Sequence, residues 1–155
     1  MGNHDWFPAS LFPAHQAFLY NATAELWRDW IGDNQQMDNF KKGGYYTIKI
    51  VNGLRIVGLN TVFYYTADRL TRHLPDPAGQ FTWLDGVLQD ARNAGEKVQW
   101  FYEQFNTKFL DLVQKYADII PGMYFGHDDA EGLKLLLKKD GTPGIPMFIA
   151  PSVTP

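Results

Sequence analysis

A mixed α/β domain is the fold class this sequence predicts, and three observations carry the prediction. Two strand-like runs, Tyr45 to Val51 and Leu54 to Leu59, flank Asn52-Gly53. A second pair, Leu133 to Lys138 and Ile145 to Ala150, flanks Asp140-Gly141. Between the pairs, Phe81, Leu84, Leu88 and Ala91 recur at helical spacing. An antiparallel pair at each end, with amphipathic helix between, fits layers of helix packed on sheet.

Composition narrows the classes of function. The chain has 155 residues, enough for one domain with a real core, and 15% of them are aromatic. Net charge is −3 with no basic run, which argues against nucleic acid or an anionic membrane as the primary partner. The absence of cysteine excludes disulfides and thiolate metal sites. No apolar run reaches the length of a membrane span, so no transmembrane segment is expected. Met1 is followed at once by polar residues, so no signal peptide is expected in this chain. Trp6 stands where N-myristoylation needs Ser or Thr.

In order, residues 6–20 carry Pro8 and Pro13 among aromatics and read as an ordered loop, with His15 at its surface. Asn21-Ala22-Thr23 is a glycosylation acceptor triplet. From about Ala22 to Asn39 the pattern is helical, interrupted at Gly32-Asp33. Asn-Gly between two alternating runs is the strongest short hairpin signal, and the second run, more continuously apolar, is the more buried strand. Residues 60–79 form a long loop, a candidate pocket wall, with His73 exposed. The helix marked by Phe81 to Ala91 ends near Gly95. Glu96-Lys97-Val98 looks like a strand entry, but Phe101, Phe105, Phe109, Leu112, Val113 and Tyr116 favour a helix from about Gln99 to Ala117. Two consecutive helices so closely linked are an anomaly in a strand–helix alternation.

Two short stretches carry candidate chemistry. In Gly2-Asn3-His4-Asp5, an Asn carbonyl oxygen can bind a metal ion and the next imidazole can donate a proton to a leaving oxygen. Asp5 can orient that imidazole. Gly2 permits the sharp turn that projects both side chains into one pocket. The alternative is a polar N-terminal turn. Far downstream, Tyr124-Phe125-Gly126-His127-Asp128-Asp129 repeats the grammar: an apolar run, a Gly, then His and carboxylates.

With these placed, the sequence resembles the acid sphingomyelinase-like phosphodiesterases, within the calcineurin-like metallophosphoesterases. The match includes residues 2–5, NATAELWRDW at 21–30, FKKGGYY at 40–46, Leu59-Asn60-Thr61, Tyr64-Tyr65, Asp76-Pro77, Gln80-Phe81, Trp83-Leu84, Trp100-Phe101, Phe105-Asn106, YFGH at 124–127 and MFIAPSVTP at 147–155. The resemblance implies part of a four-layer α/β/β/α sandwich and a centre of two zinc ions. Its reaction is hydrolysis of a phosphoric ester in a sphingomyelin-type lipid or a nucleotide-like molecule. By analogy Asn3 and His127 are metal ligands and His4 is the proton donor. Asp129 replaces the family's second His and is the third candidate ligand. Two cations would neutralise the phosphoryl oxygens and make a bound hydroxide available. Family members are secreted or lysosomal, in keeping with a glycan on Asn21.

The chain also departs from the family's pattern. The Asp-x-His and Gly-Asp-x-x-Asp motifs would precede Met1, and the strand that brings a metal-binding His would fall between Val98 and Gln99. The expectation is the C-terminal half of a catalytic domain with an internal deletion, catalytically incomplete alone, whose sheet neighbours lack ladder partners. A non-catalytic binding scaffold and an incomplete gene product are the other readings.

Overall fold

The computed structural model describes residues 1–101, 107–127 and 130–151, with backbone alone at 99–101. After an N-terminal loop come α1 (Phe18–Leu26) and α2 (Arg28–Ile31), linked through Trp27. Trp27 N–H donates to Thr23 O at 2.9 Å and its carbonyl accepts from Ile31 N at 2.8 Å, so the helical ladder carries across the joint. The break expected at Gly32-Asp33 is present: α2 stops at Gly32, and Asp33 caps α3 (Asn34–Gly43) by accepting from Gln36 N at 2.9 Å. Such a cap contributes about 1 kcal/mol. The helical segment begins at Phe18 and ends at Gly43, wider at both ends than the periodicity indicated.

The hairpin forms as expected. β1 (Tyr46–Val51) and β2 (Leu54–Gly58) pair antiparallel across Asn52-Gly53, with Gly53 at φ 83°. Gly58 faces Tyr46 across the ladder, where a Cβ would lie 2.5 Å from the tyrosine ring. The missing side chain is what lets that ring lie flat on the sheet. Short 3₁₀ turns at Thr61–Tyr64 and Pro77–Gly79 punctuate the long loop before α4 (Gln80–Asn93). Asp76 receives Phe81 N at 2.7 Å and Thr82 N at 3.0 Å, so its carboxylate satisfies orphan donors at the helix start.

The largest correction follows. Residues expected to begin a helix at Gln99 instead continue a strand, β3 (Lys97–Phe101), and the next helix, α5, spans Thr107–Lys115. β3 pairs in parallel with β2 on one side and with β4 (Gly122–Phe125) on the other. Aromatic pairs at helical spacing stabilise a helix by about 0.2–0.5 kcal/mol each. An unpaired buried backbone group costs about 1–3 kcal/mol. With neighbours waiting on both sides the ladder wins, and among the described residues β3 is paired on both sides. The anomaly of two adjacent helices disappears with it. Residues 102–106, including Phe105, lie outside the described residues.

β5 (Gly132–Leu137) and β6 (Pro143–Ile149) form the second antiparallel pair, and β6 runs parallel beside β4. The result is one six-stranded sheet in the order β1-β2-β3-β4-β6-β5. Val57, Val98, Met123, Ile145 and Met147 project from one face and meet Leu84 and Leu88 of α4 with Phe109 and Val113 of α5. On the opposite face Tyr46 lies under Phe40 of α3, with ring centroids 5.9 Å apart. The described residues thus supply one sheet and its helices toward the four-layer sandwich that the resemblance implies. Among them, no helix is long and apolar enough to cross a membrane.

Candidate functional site

A cleft of about 410 Å³ opens where β2 and β4 reach their C-terminal ends, the edge at which open α/β sheets characteristically bind ligands. Asn3, Trp27, Phe40, Tyr46, Tyr124 and His127 are among the residues that line it. Burial in this wall pushes the Tyr46 hydroxyl pKa up, so the phenol stays neutral.

Ser10 holds Asn3 at two points. Its N–H donates to the Asn3 carbonyl at 2.7 Å, and Asn3 Nδ2 donates to Ser10 Oγ at 3.3 Å. The amide nitrogen is thereby occupied and Oδ1 points the other way, to 3.1 Å from His127 Nδ1. His127 follows β4 directly through Gly126, and its backbone takes φ 81°, a left-handed conformation rare for a residue with a Cβ. Holding it there costs on the order of 1–3 kcal/mol, and such strain clusters at binding sites. The Tyr65 ring stands edge-on to the imidazole with centroids 5.8 Å apart. The long loop is therefore a wall of the site, as its position suggested.

The two motifs, remote in sequence, converge through their first members. Two atoms bound to one tetrahedral zinc, each at about 2.0–2.1 Å, stand roughly 3.3 Å apart. The 3.1 Å separation of Asn3 Oδ1 and His127 Nδ1 is that of a hydrogen bond from the ring N–H to the amide oxygen, slightly shorter than this spacing. Asp129 lies outside the described residues. Among those described, no group of three or more His, Asp or Glu residues could share an ion.

His4 is exposed and does not line the cleft. Asp5 departs from its expected role of orienting His4: its carboxylate accepts from Gly2 N at 2.8 Å, while Asp5 N donates to Gly2 O at 3.1 Å. The short reach of the turn favours this local closure, and no hydrogen bond joins Asp5 to His4. His15 and His73 are exposed, as expected. Asn21 sits half-buried on α1, its Oδ1 accepting from Gln16 Nε2 at 3.0 Å. Sequence reasoning missed Ser10, since a lone serine in a loop carries no periodic signal. It also missed the aromatic wall, because Trp27, Phe40 and Tyr46 come from three separate elements.

No protein-family model matches the chain. Individual relatives do, along its whole length. Human acid sphingomyelinase-like phosphodiesterase 3b is 41% identical over 100% of this chain, which spans 38% of that protein. Human cyclic GMP-AMP phosphodiesterase SMPDL3A is 35% identical over 100% of the chain and 38% of its own length. Sphingomyelinase phosphodiesterase C of Dictyostelium discoideum is 35% identical, again over 100% of the chain and 40% of the relative. The first alignment takes 175 positions to place 155 residues, so at least 20 of its positions (175 less 155) have no counterpart here. From end to end, the chain is homologous to part of the acid sphingomyelinase-like phosphodiesterases.

Proposed function

We propose that this chain carries one side of a metal-dependent phosphodiester-hydrolysing site, with Asn3 and His127 as ligands to zinc. The observation that carries the reading is the 3.1 Å approach of Asn3 Oδ1 to His127 Nδ1 at the C-terminal edge of the sheet. Bound zinc supplies charge to neutralise phosphoryl oxygens and acidify a water. The chain's own residues do the rest. Ser10 fixes the Asn3 amide so that its oxygen faces the cleft, and Tyr65 buttresses the imidazole of His127. His4 is assigned as the proton donor by the family resemblance alone, since its side chain is exposed and does not line the cleft. The rings of Trp27, Phe40 and Tyr46 exclude water on one side. The relatives' names point to sphingomyelin-type and cyclic dinucleotide phosphodiesters as the substrate classes. The Asn21 triplet and the family resemblance support a secretory or lysosomal location.

Zinc sites generally take three or four protein ligands. The reading therefore assigns metal binding to Asn3 and His127, with Asp129 as third donor, and turnover to a longer polypeptide. A binding scaffold without catalysis is the second reading, favoured by the finding that, among the described residues, no group of three His, Asp or Glu residues could share an ion.

Calorimetric titration with zinc separates the two. The 155-residue chain should bind one zinc weakly. Asn3→Ala and His127→Ala should each abolish the binding, while His4→Gln leaves it unchanged. The chain with zinc should not hydrolyse bis-p-nitrophenyl phosphate. Binding that survives His127→Ala undiminished would remove His127 as a ligand, and no binding at all would favour the scaffold.

A further inference from the structure

Helix α1 is apolar on two sides, and only one of them is used by the fold. Inward, Tyr20 packs with Phe12 and Phe63, and Ala24 packs with Ile31, Met37 and Phe40. Outward, Phe18 is 80% exposed, Leu26 81% and Trp30 70%. These three, with Ala22 between the first two, follow one another in steps of four residues. On a helix continued through Trp27 that step makes one outward row, roughly 18 Å long at 1.5 Å per residue. The inward face already fixes the helix, so packing within the described residues does not account for the row.

The row ends at the cleft. The Trp30 ring lies 6.3 Å from that of Trp27, which lines the cleft and stands 5.8 Å from Phe40. Its charged neighbours sum to zero: Glu25 pairs with Arg28 and, at 2.7 Å, with Lys41, and Asp29 on α2 offsets the one positive charge that this triad leaves. Aromatic and aliphatic side chains on a helix beside self-neutralised charges are what an uncharged interfacial layer accepts.

We propose that Phe18, Leu26 and Trp30 form a docking ridge for a zwitterionic lipid–water interface, which brings the mouth of the cleft to headgroup level. The ridge stands on its own geometry. Its purpose, presenting a lipid phosphodiester to Asn3 and His127, rests on the function proposed above.

The test uses the 155-residue chain and phosphatidylcholine vesicles. Cosedimentation, together with quenching of tryptophan fluorescence by brominated phosphatidylcholine, should show binding. The triple variant Phe18→Ser/Leu26→Ser/Trp30→Ser should bind at least tenfold more weakly, with circular dichroism and zinc affinity unchanged because these side chains are exposed. A second variant, Leu133→Ser/Leu135→Ser/Phe148→Ser, removes apolar residues from the exposed sheet face and should bind as the parent does. Four outcomes overturn the proposal: no vesicle binding by the parent chain, binding lost in the sheet variant but kept in the ridge variant, preference for phosphatidylserine vesicles, or a ridge that drives self-association without vesicle binding. A chain that binds vesicles but no zinc keeps the ridge and loses the proposed metal site. The reverse result does the opposite.

Discussion

The two faces of the sheet are built from the same strands and differ in what covers them. On one face Val57, Val98, Met123 and Met147 meet α4 and α5, and Val98, Leu88, Phe109 and Val113 are inaccessible to solvent. On the other, α3 covers Tyr46 near the β1 edge, but Leu133, Leu135 and Leu137 of β5 and Phe148 of β6 stay exposed. Tyr124 and Phe148 stack there, centroids 5.1 Å apart. Alternation along a strand decides only which residues share a face. Whether that face becomes a core depends on a second layer. The cleft lies where coverage ends, between the α1–α3 cluster and the open half of the same face, which gives a ligand access while two elements hold its donors.

If the contrast in coverage is a contrast in stability, the largest effect comes from the closed face. Phe109→Ala should cost about 3–5 kcal/mol, the range for deleting a buried aromatic ring. Phe148→Ala, on the open face, should cost less than about 1 kcal/mol. Urea denaturation midpoints of the two variants test this directly, and equal losses would mean that the open face is stabilised in some way its exposure hides.

A smaller effect is expected at the rim of the closed face. Glu96 is buried and pairs with Lys49 and Arg55, each at 2.7 Å. The hydrogen bond from Lys49 and then that from Arg55 hold its pKa below the ordinary 4.5, against the opposing effect of burial. A carboxylate whose folded pKa is depressed contributes stability that is present above its unfolded pKa. That contribution is lost as pH falls through the folded value. Glu96→Gln should therefore cost about 2 kcal/mol at neutral pH, in the range of hydrogen bonds to charged groups. It should also flatten the fall in stability below about pH 4.5, the ordinary pKa. Denaturation midpoints between neutral pH and pH 3 would show whether variant and parent converge; parallel curves would remove Glu96 from the acid response.

The smallest effect sharpens the comparison by its absence. Leu135→Thr should change stability by less than about 0.5 kcal/mol, as exposed substitutions do. Binding of an apolar dye should fall, since a half-exposed leucine leaves the open face. A loss of several kcal/mol would show that residue 135 is covered in solution.

The sequence by itself determined what short-range chemistry decides. Asn52-Gly53 set the first hairpin because glycine takes the positive φ its turn requires. Asp33 placed the start of α3 because its carboxylate reaches the N–H of Gln36. The spacing of Phe81, Leu84, Leu88 and Ala91 marked the face of α4 that is buried. Each signal lies within one turn or one helix face. Only the tertiary structure decided the state of residues 97–101, whose local pattern pointed partly to helix. Their strand exists because β2 and β4 offer ladders on both sides. It also decided the site. Asn3 and His127 are 124 positions apart, and nothing local specifies that Ser10 turns one toward the other. Two motifs with one grammar suggested a shared pocket, but their convergence to 3.1 Å comes from the parallel order of β2, β3 and β4, which brings the end of β4 to the N-terminal loop.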